Sequence, residues 1–457
     1  MAGPVVVILA AGQGTRMKSQ VPKVLHDLCG KPIVRWPVDA ALAAGASKVV
    51  VVGGPDRAVA PYLPDGATFA VQQEARGTGD AVLAAAAEIA PGDAIVVING
   101  DVPLITAGTI AALAKARAAD GADATMATMV LDDPTGYGRV VRNGDGGVER
   151  VVETKSPSDA TPEELAIDEV NTGVYAFAGE AVIEALRQVR PQNSQGEVYL
   201  PDALPVLRAA GKRVAAYVVD DATITLGIND RVDLAEVTAL ARRRILRHHM
   251  RNGVTILSPE NTIIDAGVRI GADTVLEQGC TLRGGTAIGE RCRIGPHATI
   301  TDADIGDEVT VRHAWIEDAT AEDGVTIGPY TYLRPGTILR RGSKAGTFVE
   351  IKNSDVGAGS KVPHLSYIGD TDIGEESNLG AATITANYNA KTRKKTRTKL
   401  GKRVKTSVDT TLVAPVELAD DAYTAAGSVI TEDVPEGALG VARARQRNVA
   451  DYARRKD

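Results

Sequence analysis

The stretch IDAGVRIGADTVLEQGCTLRGGTAIGERCRIGPHATI, residues 264–300, sets an aliphatic side chain at every sixth position: Ile264, Ile270, Leu276, Leu282, Ile288, Ile294 and Ile300. A period of six fits neither the 3.6-residue turn of a helix nor the two-residue alternation of a half-buried strand. Five residues on, the count restarts at Ile305 and Val311, and it resumes at Ile327, Leu333, Leu339, Ala345, Ile351, Val356, Val362, Ile368, Ile373 and Leu379. Four places after many of these anchors stands a small residue, among them Thr274, Cys280, Thr286, Cys292, Ala298, Thr331, Thr337, Ser343, Ser360, Ser366, Ser377 and Thr383. A triangular coil accounts for both features. Each hexad forms one flat face, the anchor fills the core, and the small residue points inward near a tight corner. Three hexads close a coil, and coils stack into a solenoid. The five-residue steps after Ile300, Ile351 and Ile368 are expected to alter a corner. Cys280 and Cys292 fall in the small inward slot, where packing explains them better than redox chemistry.

The first half has another rhythm. Val5–Leu9, Val49–Val52 and Ile95–Ile98 are short β-branched runs bounded by Gly, Pro or Asp, with helix-like segments such as Val34–Ala44 and Gly79–Ile89 between them. That alternation predicts βαβ units, a mainly parallel sheet and helices on both faces, with substrates bound where loops leave the carboxyl ends of the strands. From Asp230 to Arg251 the pattern is helical. Leu234, Val237, Ala241 and Ile245 make one stripe with arginines opposite, Asn229 or Asp230 can cap the start, and Asn252-Gly253 stops it. The expected organisation is an α/β domain over residues 1–229, a linker helix over 230–251, and a parallel β-helix with a basic C-terminal tail over 252–457.

Composition narrows the class further. The net charge of -7 gives no reason to expect nucleic acid or a membrane surface as partner. No apolar run approaches the ~20 residues of a membrane span. Met1–Gly12 lacks a charged leader and runs straight into a Gly-rich motif, so it is not read as a signal peptide. Cys29, Cys280 and Cys292 form no CxxC pair, which fits a reduced, cytoplasmic protein. His26, His248, His249, His297 and His313 have no ligand spacing, and no zinc site is expected.

Leu9-Ala10-Ala11-Gly12-Gln13-Gly14-Thr15-Arg16-Met17 follows the first strand, with Pro22-Lys23 shortly after. Small residues let backbone N–H groups approach phosphate oxygens, and Arg16 and Lys23 can neutralise a triphosphate. Further along come Gln72, Gly77-Thr78, Asn99-Gly100-Asp101, Tyr137-Gly138-Arg139, Glu153, Asn171-Thr172-Gly173 and Asn229. Taken in order, these resemble the sugar-1-phosphate nucleotidyltransferase family, whose domain is a Rossmann-like α/β fold. The resemblance implies that Leu9, Ala10, Ala11, Gly12 and Lys23 cradle UTP and that Gln72, Gly77 and Thr78 read the base. Asn99, Gly100, Gly138, Glu153 and Asn171 would hold the rest of the UDP-sugar, and Asp101 and Asn229 would ligate Mg²⁺. Arg16 and Lys23 would stabilise charge developing toward pyrophosphate.

In the repeat region Arg334, Lys352, His364, Tyr367, Asn378, Gly380-Ala381, Asn387-Tyr388, Ala414-Pro415, Ala425-Ala426-Gly427 and Arg443 extend the likeness. The whole chain resembles the family of bifunctional N-acetylglucosamine-1-phosphate uridyltransferases and glucosamine-1-phosphate acetyltransferases, whose second domain is a left-handed parallel β-helix of hexapeptide repeats. By that resemblance Arg334, Lys352, Tyr367 and Asn378 bind the sugar phosphate. Ala381, Asn387, Tyr388, Ala426 and Arg443 bind acetyl-CoA, and neutral His364 takes a proton from the attacking amine. It also implies a homotrimer and a place upstream of peptidoglycan in a bacterium. Three features depart from the family pattern: Asn389-Ala390 replaces Asp-Gly, Val408 replaces a serine, and the loop Lys391–Lys399 is longer and basic. One of Lys391, Lys394 or Lys395 is expected beside the phosphate. These departures favour the competing reading, a monofunctional nucleotidyltransferase whose β-helix only assembles or regulates; Arg334, Lys352, His364 and Tyr367 together oppose it. A catalytically dead scaffold would have lost Arg16, Lys23 and Asp101, and all three are present.

Overall fold

The computed structural model describes residues 3–12, 14–144, 146–152, 154, 160–190 and 196–454. The chain divides into two compact units, Met1–Ala241 and Arg242–Asp457. In the first, the expected strands are present with ends shifted by a residue or less, and the sheet runs in the order Val214–Val218, Ala124–Val130, Glu169–Ala178, Ala94–Asn99, Val5–Leu9, Lys48–Gly53, Ala67–Val71. Only Glu169–Ala178 runs antiparallel to its neighbours within this order. The central strands alternate Val and Ile on both faces, and each face is covered by a separate apolar cluster. Val5, Val7, Ile95 and Val97 pack toward the helix Gly179–Gln188, whereas Val6, Ile8, Val96 and Ile98 pack toward the helices Arg35–Ala43 and Ala107–Ala119. Such doubly covered parallel strands need no alternation in the sequence, which is why they read as continuous apolar runs.

The helix Arg231–Arg251 starts where Asp230 Oδ1 accepts from the backbone N–H of Val232 and Asp233, at 2.8 and 3.1 Å. Val237 and Ala241 are buried as the stripe requires, but Leu234 and Ile245 are only half-buried. Leu246 and His249, off that stripe, are buried instead, because the helix's second half packs on the apolar core of the second unit.

In the second unit, parallel strands of two to four residues stack on three faces. Every anchor from Leu276 to Leu379 is buried, and so is every small residue predicted to point inward. Ile270 is the half-buried exception among the anchors. The five-residue step after Ile300 leaves the register intact, since Asp304–Ile305 still pairs with Ala287–Ile288. Between Val311 and Ile327 two successive short steps place Ile316 and Ala321 in the core, and beyond Leu379 the stack continues through Thr385, Leu400, Leu412, Leu418 and Ile430. Among the described residues, no helix is long and apolar enough to cross a membrane.

Candidate active sites

In the first unit Leu9 and Asn99 are register partners on adjacent parallel strands, so the loops after them leave the sheet side by side, tied by the Gly100 N–H donating to Leu9 O at 2.8 Å. A cleft of about 540 Å³ opens there. Leu9, Ala10, Ala11, Gly12, Lys23, Gln72, Gly77, Thr78, Asn99 and Asp101 all line it. The Lys23 ammonium pairs with the Asp101 carboxylate, and Arg16 donates to Asn229 Oδ1 at 3.4 Å. Asn229 is brought to Asp101 by the Ile228 N–H donating to Asp101 O at 3.0 Å. One carboxylate and one amide oxygen, with room for phosphate oxygens, is a donor set suited to Mg²⁺, and each already faces a cation, Lys23 and Arg16 respectively. The residues therefore fit a hard divalent ion.

Gln72 is buried, and its amide donates to Gly77 O at 3.1 Å and Asp80 Oδ2 at 2.8 Å, which fixes its orientation in the cleft. Gly77 has φ +101, and a Cβ there would lie 2.4 Å from Val198 O, so only glycine fits this turn. Asn171 sits where the pairing of Glu169–Ala178 with Ala124–Val130 slips register, and its Oδ1 accepts from Gly173 N–H and Tyr175 Oη, both at 2.9 Å. Gly138 O accepts from Asn171 N at 2.9 Å. The Arg139 side chain is buried and donates to Pro134 O and Tyr137 O. Glu153 and Gln13 lie outside the described residues. Sequence reasoning missed Glu197 and Tyr199, which also line the cleft; they belong to no motif and reach it only through the fold.

In the second unit, Arg334 and Lys352 follow register partners Leu333 and Ile351, one coil apart on the same face. Arg334 is paired with Glu350 at 2.8 Å. Lys352 Nζ stands 3.7 Å from Asp370 Oδ2, and Asp370 also accepts from Asn353 and Asn387. Burial alone would raise the Asp370 pKa, but those two amides and Lys352 hold it below the usual carboxylate range. Of the three candidate loop lysines it is Lys395 that meets Lys352, and that contact lowers its own pKa. Lys395 lies on the hairpin that pairs Tyr388–Asn389 with Lys394–Lys395. Two ammonium groups facing each other with Tyr367 beside them form a seat for an anion. Gly369 belongs to the same cluster, for a Cβ there would meet Tyr367 Oη at 2.5 Å and Asn387 Nδ2 at 2.6 Å.

His364 ends the strand Lys361–His364 on the neighbouring face, exposed and opposite Thr347. Asn378 lies on that same face, bridged to Lys361 and Lys405, and not on the face of Arg334 and Lys352. Ala381 and Ala426 are half-buried, whereas Val408, Tyr388 and Arg443 are exposed. Buried Asn387 is committed to Asp370. The repeat count also missed a corner ladder in which rings of His297, His313, Tyr330 and Phe348 follow one another at centroid spacings of 5.3, 5.3 and 5.2 Å.

Residues 6–199 match the family model of the MobA-like NTP transferase domain, and residues 267–302 match that of the bacterial transferase hexapeptide (six repeats). Over 451 residues the chain is 47% identical to the bifunctional protein GlmU of Listeria welshimeri, covering 98% of each chain. It is 46% identical over 467 residues to the GlmU of Mycolicibacterium gilvum, covering 100% of this chain and 93% of that one. With the GlmU of a Geobacillus species it shares 47% identity over 451 residues, 98% of this chain and 97% of the relative.

Proposed function

Since the chain belongs to the GlmU family of bifunctional proteins, we propose that it makes UDP-N-acetylglucosamine in two steps at two separate sites. The β-helix transfers acetyl from acetyl-CoA to glucosamine 1-phosphate, and the α/β domain then transfers UMP from UTP to the product. The observation that carries this reading is that one chain holds two independent clusters of phosphate-seeking cations, Arg16 with Lys23 and Lys352 with Lys395. The domains are assigned as residues 1–229, a linker helix 230–251, and 252–457.

In the acetyl step the sugar's 2-amino nitrogen attacks the thioester carbonyl. The exposed His364 imidazole takes the ammonium proton, and CoA leaves as the thiol, with no acyl-enzyme. Lys352, Lys395, Arg334 and Tyr367 hold the sugar phosphate while this happens. Ala381, Asn387, Tyr388, Ala426 and Arg443 are assigned to the coenzyme, with Asn387 acting through Asp370. Asn378 is assigned to the sugar phosphate although it lies on the neighbouring face. In the uridylyl step a phosphate oxygen of the sugar attacks the UTP α-phosphate in line and pyrophosphate leaves, so catalysis is positioning and charge neutralisation. Asp101 and Asn229 would hold Mg²⁺, which when bound neutralises and aligns phosphate oxygens. Lys23 and Arg16 neutralise the charge that develops on the departing pyrophosphate. Gln72 and Gly77 read the uracil edge, and Glu153 and Asn171 hold sugar hydroxyls.

Exposed Trp315, Tyr330, Phe348 and Leu365 on the solenoid support assembly of several copies, and the family likeness supports a homotrimer. The buried thiols of Cys280 and Cys292 support a cytoplasmic setting, and the family likeness supports a place upstream of peptidoglycan. The test is CoA-thiol release from acetyl-CoA and glucosamine 1-phosphate without UTP. Release is expected. No release, with pyrophosphate still formed from UTP and N-acetylglucosamine 1-phosphate, would reduce the solenoid to an assembly domain.

A further inference from the structure

One outward row on the face that carries His364 gathers three lysines along a run of successive coils. Lys344, Lys361, Asn378, Lys405 and Tyr423 are consecutive register partners, one per coil. The residue after each of them, Ala345, Val362, Leu379, Thr406 and Thr424, is buried, so the row itself faces out. Adjacent coils in a parallel stack lie about 4.8 Å apart, which places the Lys361 and Lys405 backbones roughly 10 Å apart with the Asn378 amide between them.

Many cations on this solenoid are matched to carboxylates: Arg291, Arg293, Arg334, Arg340, Arg341, Arg397, Arg403 and Lys402 each form an ion pair. Among the described residues Lys344, Lys361 and Lys405 form none. Asp421 is within electrostatic reach of Lys405, but both its oxygens are taken by Arg403 at 2.8 and 2.6 Å. Lys405 instead places its ammonium over the Tyr423 ring, 5.6 Å from the centroid. A cation held on an exposed ring is kept in one place without being neutralised.

The row also has a fixed relation to the coenzyme residues. Three residues after Asn378, Lys405 and Tyr423 come Ala381, Val408 and Ala426, which stack at the next corner. We propose that Lys361 and Lys405, flanking Asn378, bind the phosphates of the coenzyme's 3′-phosphoadenosine diphosphate end, with Tyr423 positioning Lys405. This rests on the acetyltransferase reading and assigns residues to its donor that the family motifs do not reach. It also accounts for Val408: where a serine hydroxyl is absent at the corner, Lys405, three residues upstream, and Lys361, two coils away in the same row, supply the affinity.

The test compares two donors on the full-length protein. S-acetylpantetheine carries the same thioester without the phosphoadenosine end. Lys405→Ala is expected to raise the KM for acetyl-CoA about tenfold, the loss of one charge-assisted contact, while the KM for S-acetylpantetheine stays where it is and Lys405→Arg restores the first. Calorimetric titration with CoA should show a matching loss of affinity in Lys405→Ala and in Lys361→Ala. Equal effects on both donors, or none on acetyl-CoA, would overturn the assignment. If the wild type binds CoA yet releases no thiol, the acetyltransferase reading fails, and the CoA titration of the two variants still decides whether the row binds phosphate. A wild type that binds no CoA removes both.

Discussion

Cys280 shows how much one inward slot constrains a side chain. It is wholly buried, and burial pushes its thiol up to about 11. The native state therefore keeps a proton that the unfolded chain loses near the ordinary value of 9.0. That contribution to stability is fully present below the unfolded value and is lost as pH rises through about 11. Iodoacetamide at about pH 8 should leave Cys280 unlabelled in the folded protein and label it in denaturant, because only the thiolate reacts; rapid labelling of the native protein would contradict its place in the core. The slot itself was legible from the six-residue count. Which loop lysine meets Lys352 was not, because Lys391, Lys394 and Lys395 sit in a loop without periodicity, and only the pairing of Tyr388 with Lys395 turns the last of them toward Lys352.

Elements were readable where burial imposes a period. The strands Val5–Leu9 and Ala94–Asn99 are apolar because both faces are covered, and the coils reveal themselves because each anchor must meet the one below. The count stopped at Leu379 because Ile384 faces solvent while Thr385 faces in, and the hairpin then delays the next anchor to Leu400. Leu333 is wholly buried and backs the strand before Arg334. Leu333→Ala should cost about 2–5 kcal/mol. Because coils couple mainly to their neighbours, urea unfolding followed through the solenoid should show that loss while pyrophosphate formation in the folded protein persists. A loss of uridylyl transfer under native conditions would mean the two units depend on each other.

At the scale of the whole molecule, two sites built on separate units should fail separately. Asp101→Ala is expected to lower UTP consumption by at least about 100-fold and leave CoA release intact. His364→Ala should lower CoA release by a similar factor and leave pyrophosphate formation intact. Mixing the two variants should then restore synthesis from glucosamine 1-phosphate, with the acetylated sugar passing through solution. Loss of both activities in either folded variant would rule out independent sites. The basic hairpin shows how such a molecule accommodates change. Asp372 and Lys399 are 27 positions apart in the chain yet are direct register partners. Both ends of the insertion are thus gripped by the stack, like a bracket bolted twice to one post. A cut at the tip of that hairpin would sever the covalent chain and leave the column standing, so in this fold continuity of the backbone and continuity of the body are separate properties.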